Sequence, residues 1–168
     1  MLAAVQPAPG SLIVDVGCSQ GLYARELAQA GAEVIAVDYS QAFLRSAVRR
    51  AASANVSIAP TRSLAQHLPL ADASVDAAVS GGTLNDCGDP PAVVDELARV
   101  VRPGGCLFSM SLIGSHKRFG RTVMAVLGRS GIWFPDAVTT RALFESSGWI
   151  VRSERLDGLV LRLVLQRP

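Results

Sequence analysis

Hydrophobic residues along the chain form short runs that alternate with segments of helical spacing. Apolar runs of strand length occupy 12–14, 34–37, 56–59, 75–80 and 106–112. Between them, apolar residues recur every three or four positions, which predicts amphipathic helices. Two final runs, 150–156 and 159–165, are joined by Asp157 and Gly158, a pair typical of hairpin turns. The pattern predicts an α/β protein of five alternating β/α steps followed by an antiparallel hairpin.

The segments between these runs carry helix and loop signals. We expect no clear helix in residues 1–10 and a flexible loop over 81–89. Pro91 suits the start of the next helix, and the Pro-Gly-Gly at 103–105 ends it. A last helix is expected to begin at Asp136 or Thr139 and to end at Gly148.

Residues 11–38 contain the densest functional signal. They read as strand, glycine-bounded turn, helix and strand, and each strand ends in an acid, Asp15 and Asp38. Gly17 and Gly21 let the turn bend sharply, and the helix start offers free backbone N–H groups. Ligands of open α/β sheets bind at this strand end, where an acid about 20 residues past the glycines meets ribose hydroxyls. The unit therefore favours an adenosine-type ligand over an ordinary βαβ unit with a capping acid.

Composition narrows the class of protein. The chain has 168 residues, of which 49% are hydrophobic and 18% charged, so one domain with a sheet buried on both faces is expected. The pattern predicts no membrane-spanning run, the first ten residues are not typical of a signal peptide, and a net charge of +2 by itself implies no nucleic-acid partner. Three scattered cysteines fit no disulfide framework, and neither they nor the histidines have metal-ligand spacing. We expect a soluble cytoplasmic protein without a metal site.

Four stretches in order carry a resemblance to a known family. They are VDVGCSQG at 14–21, AVDYS at 36–40, LPLADASVD at 68–76 and ELARVVRPGG at 96–105. With them the chain resembles the S-adenosylmethionine-dependent methyltransferases of the Rossmann-like class, especially the ubiquinone/menaquinone-biosynthesis-like subgroup. The resemblance implies a doubly wound, seven-stranded, mostly parallel sheet with a C-terminal antiparallel hairpin and helices on both faces. It covers nearly all of 1–168 as a single S-adenosylmethionine-binding methyltransferase domain.

The resemblance also implies roles for particular positions. The methionine end of S-adenosylmethionine would contact Asp15 and the turn, Asp38 would bind the ribose, and Tyr39 would pack on adenine, although Tyr39 could equally be a core residue. Ser19 stands where many members of the family have the middle glycine of the turn. Leu64 stands where many members have an acid that accepts a hydrogen bond from the adenine amino group, and Gln66 or backbone carbonyls could accept that bond instead. The implied cofactor-binding residues are Asp15, Gly17, Cys18, Ser19, Gly21, Asp38, Tyr39, Leu64, Ala65, Ser80 and Gly81.

The acceptor is not identified by these motifs. A small molecule is expected, with residues 114–135 as a candidate lid whose His116, Arg118 and Arg121 would contact an anionic acceptor or a membrane surface; a solvated basic face is the simpler interpretation. No catalytic residue is assigned, although Asp86 and His116 lie on loops at the appropriate sheet edge.

Because only about ten residues precede the first strand, three alternatives stay open: an open site, a site capped by a partner chain such as a second copy, and a piece of a longer protein. A catalytically silent or partner-dependent cofactor-binding module is the alternative function. A nicotinamide-dependent oxidoreductase is disfavoured because G-x-G-x-x-G is absent and the chain ends in a hairpin.

Overall fold

The computed structural model describes residues 1–114 and 131–168. The strands are β1 (Leu12–Val16), β2 (Glu33–Asp38), β3 (Ala59–Arg62), β4 (Val75–Gly81), β5 (Val101–Leu112), β6 (Ile150–Asp157) and β7 (Val160–Gln166). The helices in the described ranges are α1 (Leu2–Val5), α2 (Leu22–Gln29), α3 (Gln41–Ser53), α4 (Thr83–Asp86), α5 (Pro90–Val100) and α6 (Ala137–Ser146).

All these strands join one seven-stranded sheet in the order β3-β2-β1-β4-β5-β7-β6. Strands β1 to β5 pair in parallel, whereas β7 is antiparallel to both β5 and β6. The order reverses between β1 and β4, and such a reversal opens a crevice at the carboxyl ends of the strands. The predicted fold class, with its C-terminal antiparallel hairpin, is confirmed.

The sheet is buried on both faces because side chains along each strand alternate between two cores. On one face Val14 and Leu163 pack with Leu97 of α5 and Phe144 of α6. On the other, Ile13 packs with residues of α1, α2 and α3. Two covered faces explain why the strands read as nearly continuous apolar runs.

Three expectations about local structure were wrong. Residues 1–10 contain α1, whose Val5 is buried in the second core. The segment predicted as a flexible loop over 81–89 contains α4. Both helices have only four residues, too few for an apolar period to show in the sequence.

The third wrong expectation concerns β3, which lies a few residues later than the apolar run at 56–59. It pairs in parallel with β2, with Ala59 opposite Ile35 and Arg62 opposite Asp38. The strand contains Pro60 and is largely exposed, as an edge strand allows. Its position follows from pairing with β2 and not from hydrophobicity.

Candidate active site

A cavity of about 530 Å³ opens at the carboxyl ends of β1, β2 and β4. Seven of the predicted site residues line it: Gly17, Ser19, Asp38, Tyr39, Leu64, Ala65 and Gly81. The other lining residues are Val37, Phe43, Ser63, Gln66, Gly82, Thr83, Asp86 and Cys87. The cavity therefore lies at the crevice where the sheet order reverses.

Asp38 links the glycine turn to the start of α3. Its Oδ2 accepts a hydrogen bond from the Ser19 backbone N–H (2.9 Å), and its Oδ1 accepts from that of Ser40 (2.8 Å). The side chain is nearly buried, yet the residue lines the cavity. A carboxylate retains further lone pairs after two such bonds, so Asp38 can still accept from a ligand hydroxyl.

Asp15 lies beneath the turn and not at the cavity surface. It is 1% exposed, and its Oδ2 accepts from the backbone N–H of Ala24 in the first turn of α2 (2.9 Å). Burial raises the pKa of this carboxyl to about 7, and the charge of Asp38 contributes to the increase. The described contact positions α2, while a direct contact between Asp15 and a cofactor stays a prediction.

The turn glycines are required by close packing between elements. A Cβ on Gly17 would lie 2.1 Å from Thr83 Oγ1, and one on Gly21 would lie 2.8 Å from the Cβ of Ala47. Both glycines also have positive φ. The space a Cβ at Gly17 would enter is therefore filled by α4 and not left free for a ligand, which the turn pattern alone could not indicate.

Apolar side chains form the cavity rim. Tyr39 is 66% exposed, so the interpretation of Tyr39 as a core residue was wrong. Leu64 and Phe43 are also exposed and line the same cavity. The Gln66 side-chain N–H donates to the carbonyl of Cys87, so this amide N–H is engaged in a protein contact.

Four predicted site residues do not line the cavity: Asp15, Cys18, Gly21 and Ser80. The Ser80 hydroxyl is buried and has no hydrogen-bond partner among the described residues. Cys18 is also buried, and burial raises its thiol pKa well above the usual range, so it is a poor nucleophile. Gly81 does line the cavity, and a Cβ there would lie 2.5 Å from the Tyr23 ring.

Helix α4 forms one wall of the cavity through Thr83 and Asp86. The buried Thr83 hydroxyl donates to the carbonyl of Val16 (2.7 Å), which ties α4 to the end of β1. Gly82, just before α4, has a positive φ and nothing within 4 Å of the place a Cβ would occupy. The sequence motifs do not assign α4 to the cofactor site, although its position directly after the predicted site residue Gly81 was a usable signal.

The three predicted acceptor contacts, His116, Arg118 and Arg121, lie outside the described residues, as does most of the candidate lid at 114–135. The structure describes the two ends of that segment, Gly114 and residues 131–135. The Gly114 N–H donates to the carbonyl of Pro135 (2.7 Å), and Trp133 N–H donates to that of Asn85 (2.6 Å). Both ends are therefore held near the end of β5 and α4.

Comparison with known proteins identifies the family. A sequence family described as a methyltransferase domain matches residues 14–109. A demethylmenaquinone methyltransferase of Corynebacterium kroppenstedtii is 36% identical over 167 residues, which cover 86% of this chain and 70% of that protein. The chain belongs to the S-adenosylmethionine-dependent methyltransferases, and its cofactor is S-adenosylmethionine.

Solved structures of low sequence identity share the fold. A methyltransferase of Methanosarcina mazei superposes with a TM-score of 0.86 at 19% identity, covering 95% of this chain and 93% of its own. A geranyl diphosphate methyltransferase in complex with S-adenosylmethionine gives 0.85 at 15% identity, covering 99% and 82%.

The extent of these matches differs between relatives. The chain spans 30% of the length of an uncharacterised methyltransferase of Arabidopsis thaliana, 70% of that of the Corynebacterium kroppenstedtii protein and 56% of that of an uncharacterised protein of Mycobacterium bovis.

None of the helices in residues 1–114 and 131–168 has the length and apolar character that a membrane span requires.

Proposed function

We propose that the chain transfers a methyl group from S-adenosylmethionine to a small-molecule acceptor by in-line displacement. The observation that carries the proposal is Asp38, which lines the cavity and also positions the glycine turn through Ser19. When bound, the cofactor supplies an activated methyl group on a sulfonium, so the hard chemistry is its own. The protein has to align the acceptor with that methyl group and exclude water.

The lining of the cavity suits this cofactor. Asp38 has spare acceptor capacity for ribose hydroxyls, and Tyr39 and Leu64 offer apolar surface for adenine beside the backbone N–H of Ala65. The only charged side chains among the described lining residues are two carboxylates, Asp38 and Asp86, which favour a cationic ligand. The roles predicted for Asp15, Cys18, Gly21 and Ser80 would be indirect, through the shape of the turn and of the strand end.

Calorimetry with Asp38 variants tests the cofactor assignment. Asp38→Ala should weaken S-adenosylmethionine binding by ~1–3 kcal/mol because it removes an acceptor from buried donors. Asp38→Asn keeps one accepting oxygen but places an amide donor opposite a backbone N–H. We therefore expect its affinity for S-adenosylmethionine to lie between those of the wild type and Asp38→Ala. Thermal unfolding without ligand separates a binding defect from a folding defect, since Asp38 also holds Ser19 and Ser40. Unchanged affinity in a folded Asp38→Ala protein would contradict the assignment.

A turnover assay separates the enzyme from a catalytically silent module. The wild type should release S-adenosylhomocysteine in the presence of an acceptor panel and should bind S-adenosylmethionine but not NAD. Cofactor binding without release on any acceptor, alone or with candidate partner chains, would favour the silent module.

A further inference from the structure

We propose that a groove between α3 and the edge strand β3 is a docking surface for an acidic, amphipathic helix of a partner protein. This α3 groove has a volume of about 380 Å³ and is lined by Gln41, Leu44, Arg45, Val48, Arg49 and Pro60. It shares no lining residue with the cofactor cavity. The proposal therefore stands independently of the proposed function.

Charge is distributed unevenly along the chain. Residues 39–71 contain four arginines, Arg45, Arg49, Arg50 and Arg62, but no aspartate or glutamate. This segment carries a charge of +4, and because the whole chain has a net charge of +2, the remainder is net negative. The segment forms α3 and β3, so the positive charge is concentrated at one edge of the sheet.

The arginines of α3 have no partner inside the protein. Across residues 1–114 and 131–168, the exposed side chains of Arg45, Arg49 and Arg50 form neither an ion pair nor a hydrogen bond. Elsewhere on the surface, Arg102 binds Asp76 and Arg141 binds Glu154. The cations of α3 are therefore available to carboxylates from another molecule.

The stability of α3 does not explain these cations. Arg45 and Arg49 lie four residues apart on the helix, where like charges destabilise it. The helix dipole favours Arg50, which lies in the last turn, but not Arg45 in the amino-terminal half. Carboxylates placed one helical turn apart on a partner would relieve the repulsion.

The floor of the α3 groove selects a protein helix among anionic partners. Leu44 is buried beneath the groove, and Val48, 38% exposed, and Pro60 give it an apolar surface between the arginines. None of the described lining residues is aromatic, so nucleic-acid bases have no stacking surface. Membrane binding requires apolar side chains that enter the lipid, whereas this apolar surface is concave.

An amphipathic helix satisfies both features of the groove. Its apolar stripe would cover Val48 and Pro60, and acids beside that stripe would pair with Arg45 and Arg49. Helix α3 has 13 residues and is about 20 Å long, so a partner helix of about four turns matches its length.

Fluorescence anisotropy with labelled synthetic peptides tests the surface. The probes are helical peptides of about 16 residues made of leucine, alanine and glutamate, with glutamates four apart beside a leucine stripe. The panel varies the register between the two, and a second panel has lysine in place of every glutamate. We expect the wild type to bind an acidic peptide and no lysine peptide, with affinity that falls as salt is raised.

Paired substitutions locate the binding. Arg45→Gln combined with Arg49→Gln should weaken binding of the acidic peptide by ~10-fold, because it removes two charged contacts at the rim of the groove. Arg152→Gln combined with Arg155→Gln is the matched control, since it removes the same charge from exposed positions on β6, at the opposite edge of the sheet. The control should change the affinity by less than about twofold.

Charge reversal separates recognition from a folding defect. Arg45→Glu combined with Arg49→Glu should lose the acidic peptide and bind the lysine peptide of the same register, an exchange that unfolding cannot produce. Binding of S-adenosylhomocysteine should stay within about twofold of wild type, because neither arginine lines the cofactor cavity.

Three results would overturn the proposal: no acidic peptide binds at concentrations up to ~1 mM, the β6 control loses as much affinity as the α3 variant, or charge reversal does not exchange the preferred peptide. Phosphatidylglycerol vesicles and polyuridylate complete the panel of probes. Tighter binding of either than of every acidic peptide would overturn the assignment to a protein helix.

Discussion

Asp15 and Asp38 occupy similar places in the sequence, each near the end of an apolar run, yet the structure gives them different environments. Asp38 lines the cavity and bonds the turn, whereas Asp15 is sealed beneath it with its pKa raised to about 7. The two acids lie on the same face of the sheet, because Asp15 is opposite Ala36 and Asp38 is two residues further along β2. The difference arises because Asp38 is the last residue of its strand, whereas Asp15 lies one residue inside β1 and is covered by the first turn of α2. A shift of one residue along a strand thus decides whether a strand-end acid reaches the cavity.

The raised pKa of Asp15 predicts how stability depends on pH. An acid whose pKa is higher in the folded state stabilises the fold fully below its unfolded pKa, about 4, and this contribution is lost as pH rises through about 7. Asp15→Asn removes the titration but keeps an oxygen that accepts from Ala24. Relative to wild type, the variant should therefore gain up to ~4 kcal/mol in free energy of unfolding between acidic and mildly alkaline pH.

Urea unfolding without cofactor at several pH values measures this effect. Asp15→Ala serves as control: it also lacks the titration but leaves the Ala24 N–H without its acceptor, so it should lie about 1–3 kcal/mol below Asp15→Asn at every pH. A difference between wild type and Asp15→Asn that does not change with pH would contradict the burial argument.

Helix α4 shows why local structure near the site was incompletely predicted. Its four residues offer no periodic signal, and the glycines before it predict a loop. Its conformation depends on partners far along the chain: Thr83 bonds Val16, and Asn85 bonds Leu112 and Trp133. Long-range side-chain bonds of this kind are invisible to a sequence window.

Asn85 is predicted to be the main anchor of α4. Asn85→Ala leaves the Leu112 N–H and two carbonyls without partners, so we expect a loss of about 2–4 kcal/mol in the free energy of unfolding. Thr83→Val removes one hydroxyl bond and keeps the volume, and it should cost about 1–2 kcal/mol. Denaturant unfolding of both variants checks the order, and a smaller loss for Asn85→Ala than for Thr83→Val would contradict it.

At the scale of the whole molecule, β7 joins the C-terminal hairpin to the core. It lies between β5 and β6, antiparallel to both, with Leu161, Leu163 and Leu165 buried. The cavity is lined from β1, β2 and β4, and β5 separates β7 from β4. Stability of the hairpin and cofactor binding should therefore respond to different substitutions.

Leu163→Ala tests this separation. Removing a fully buried leucine side chain should cost about 2–5 kcal/mol of stability, while S-adenosylmethionine affinity of the folded protein should stay near wild type. Leu159→Ala, the same change at a 42% exposed position beside the hairpin turn, should cost less than about 1 kcal/mol. Thermal unfolding and calorimetry give the two readouts, and a large affinity loss in folded Leu163→Ala would show that the two regions are coupled.

The order of apolar runs and helical periods was sufficient to predict every strand except the exposed β3, together with the hairpin and the covered sheet, because burial on two faces imposes that pattern directly on the chain. The glycine turn and Asp38 were likewise predictable, since positive φ and a strand-end acid are local requirements. Only the tertiary structure decided that Asp15 is sealed beneath the turn, that Gly17 makes room for Thr83, and that Asp86 faces the cavity. Each depends on how distant elements meet: α2 over β1, and α4 against the ends of β1 and β5.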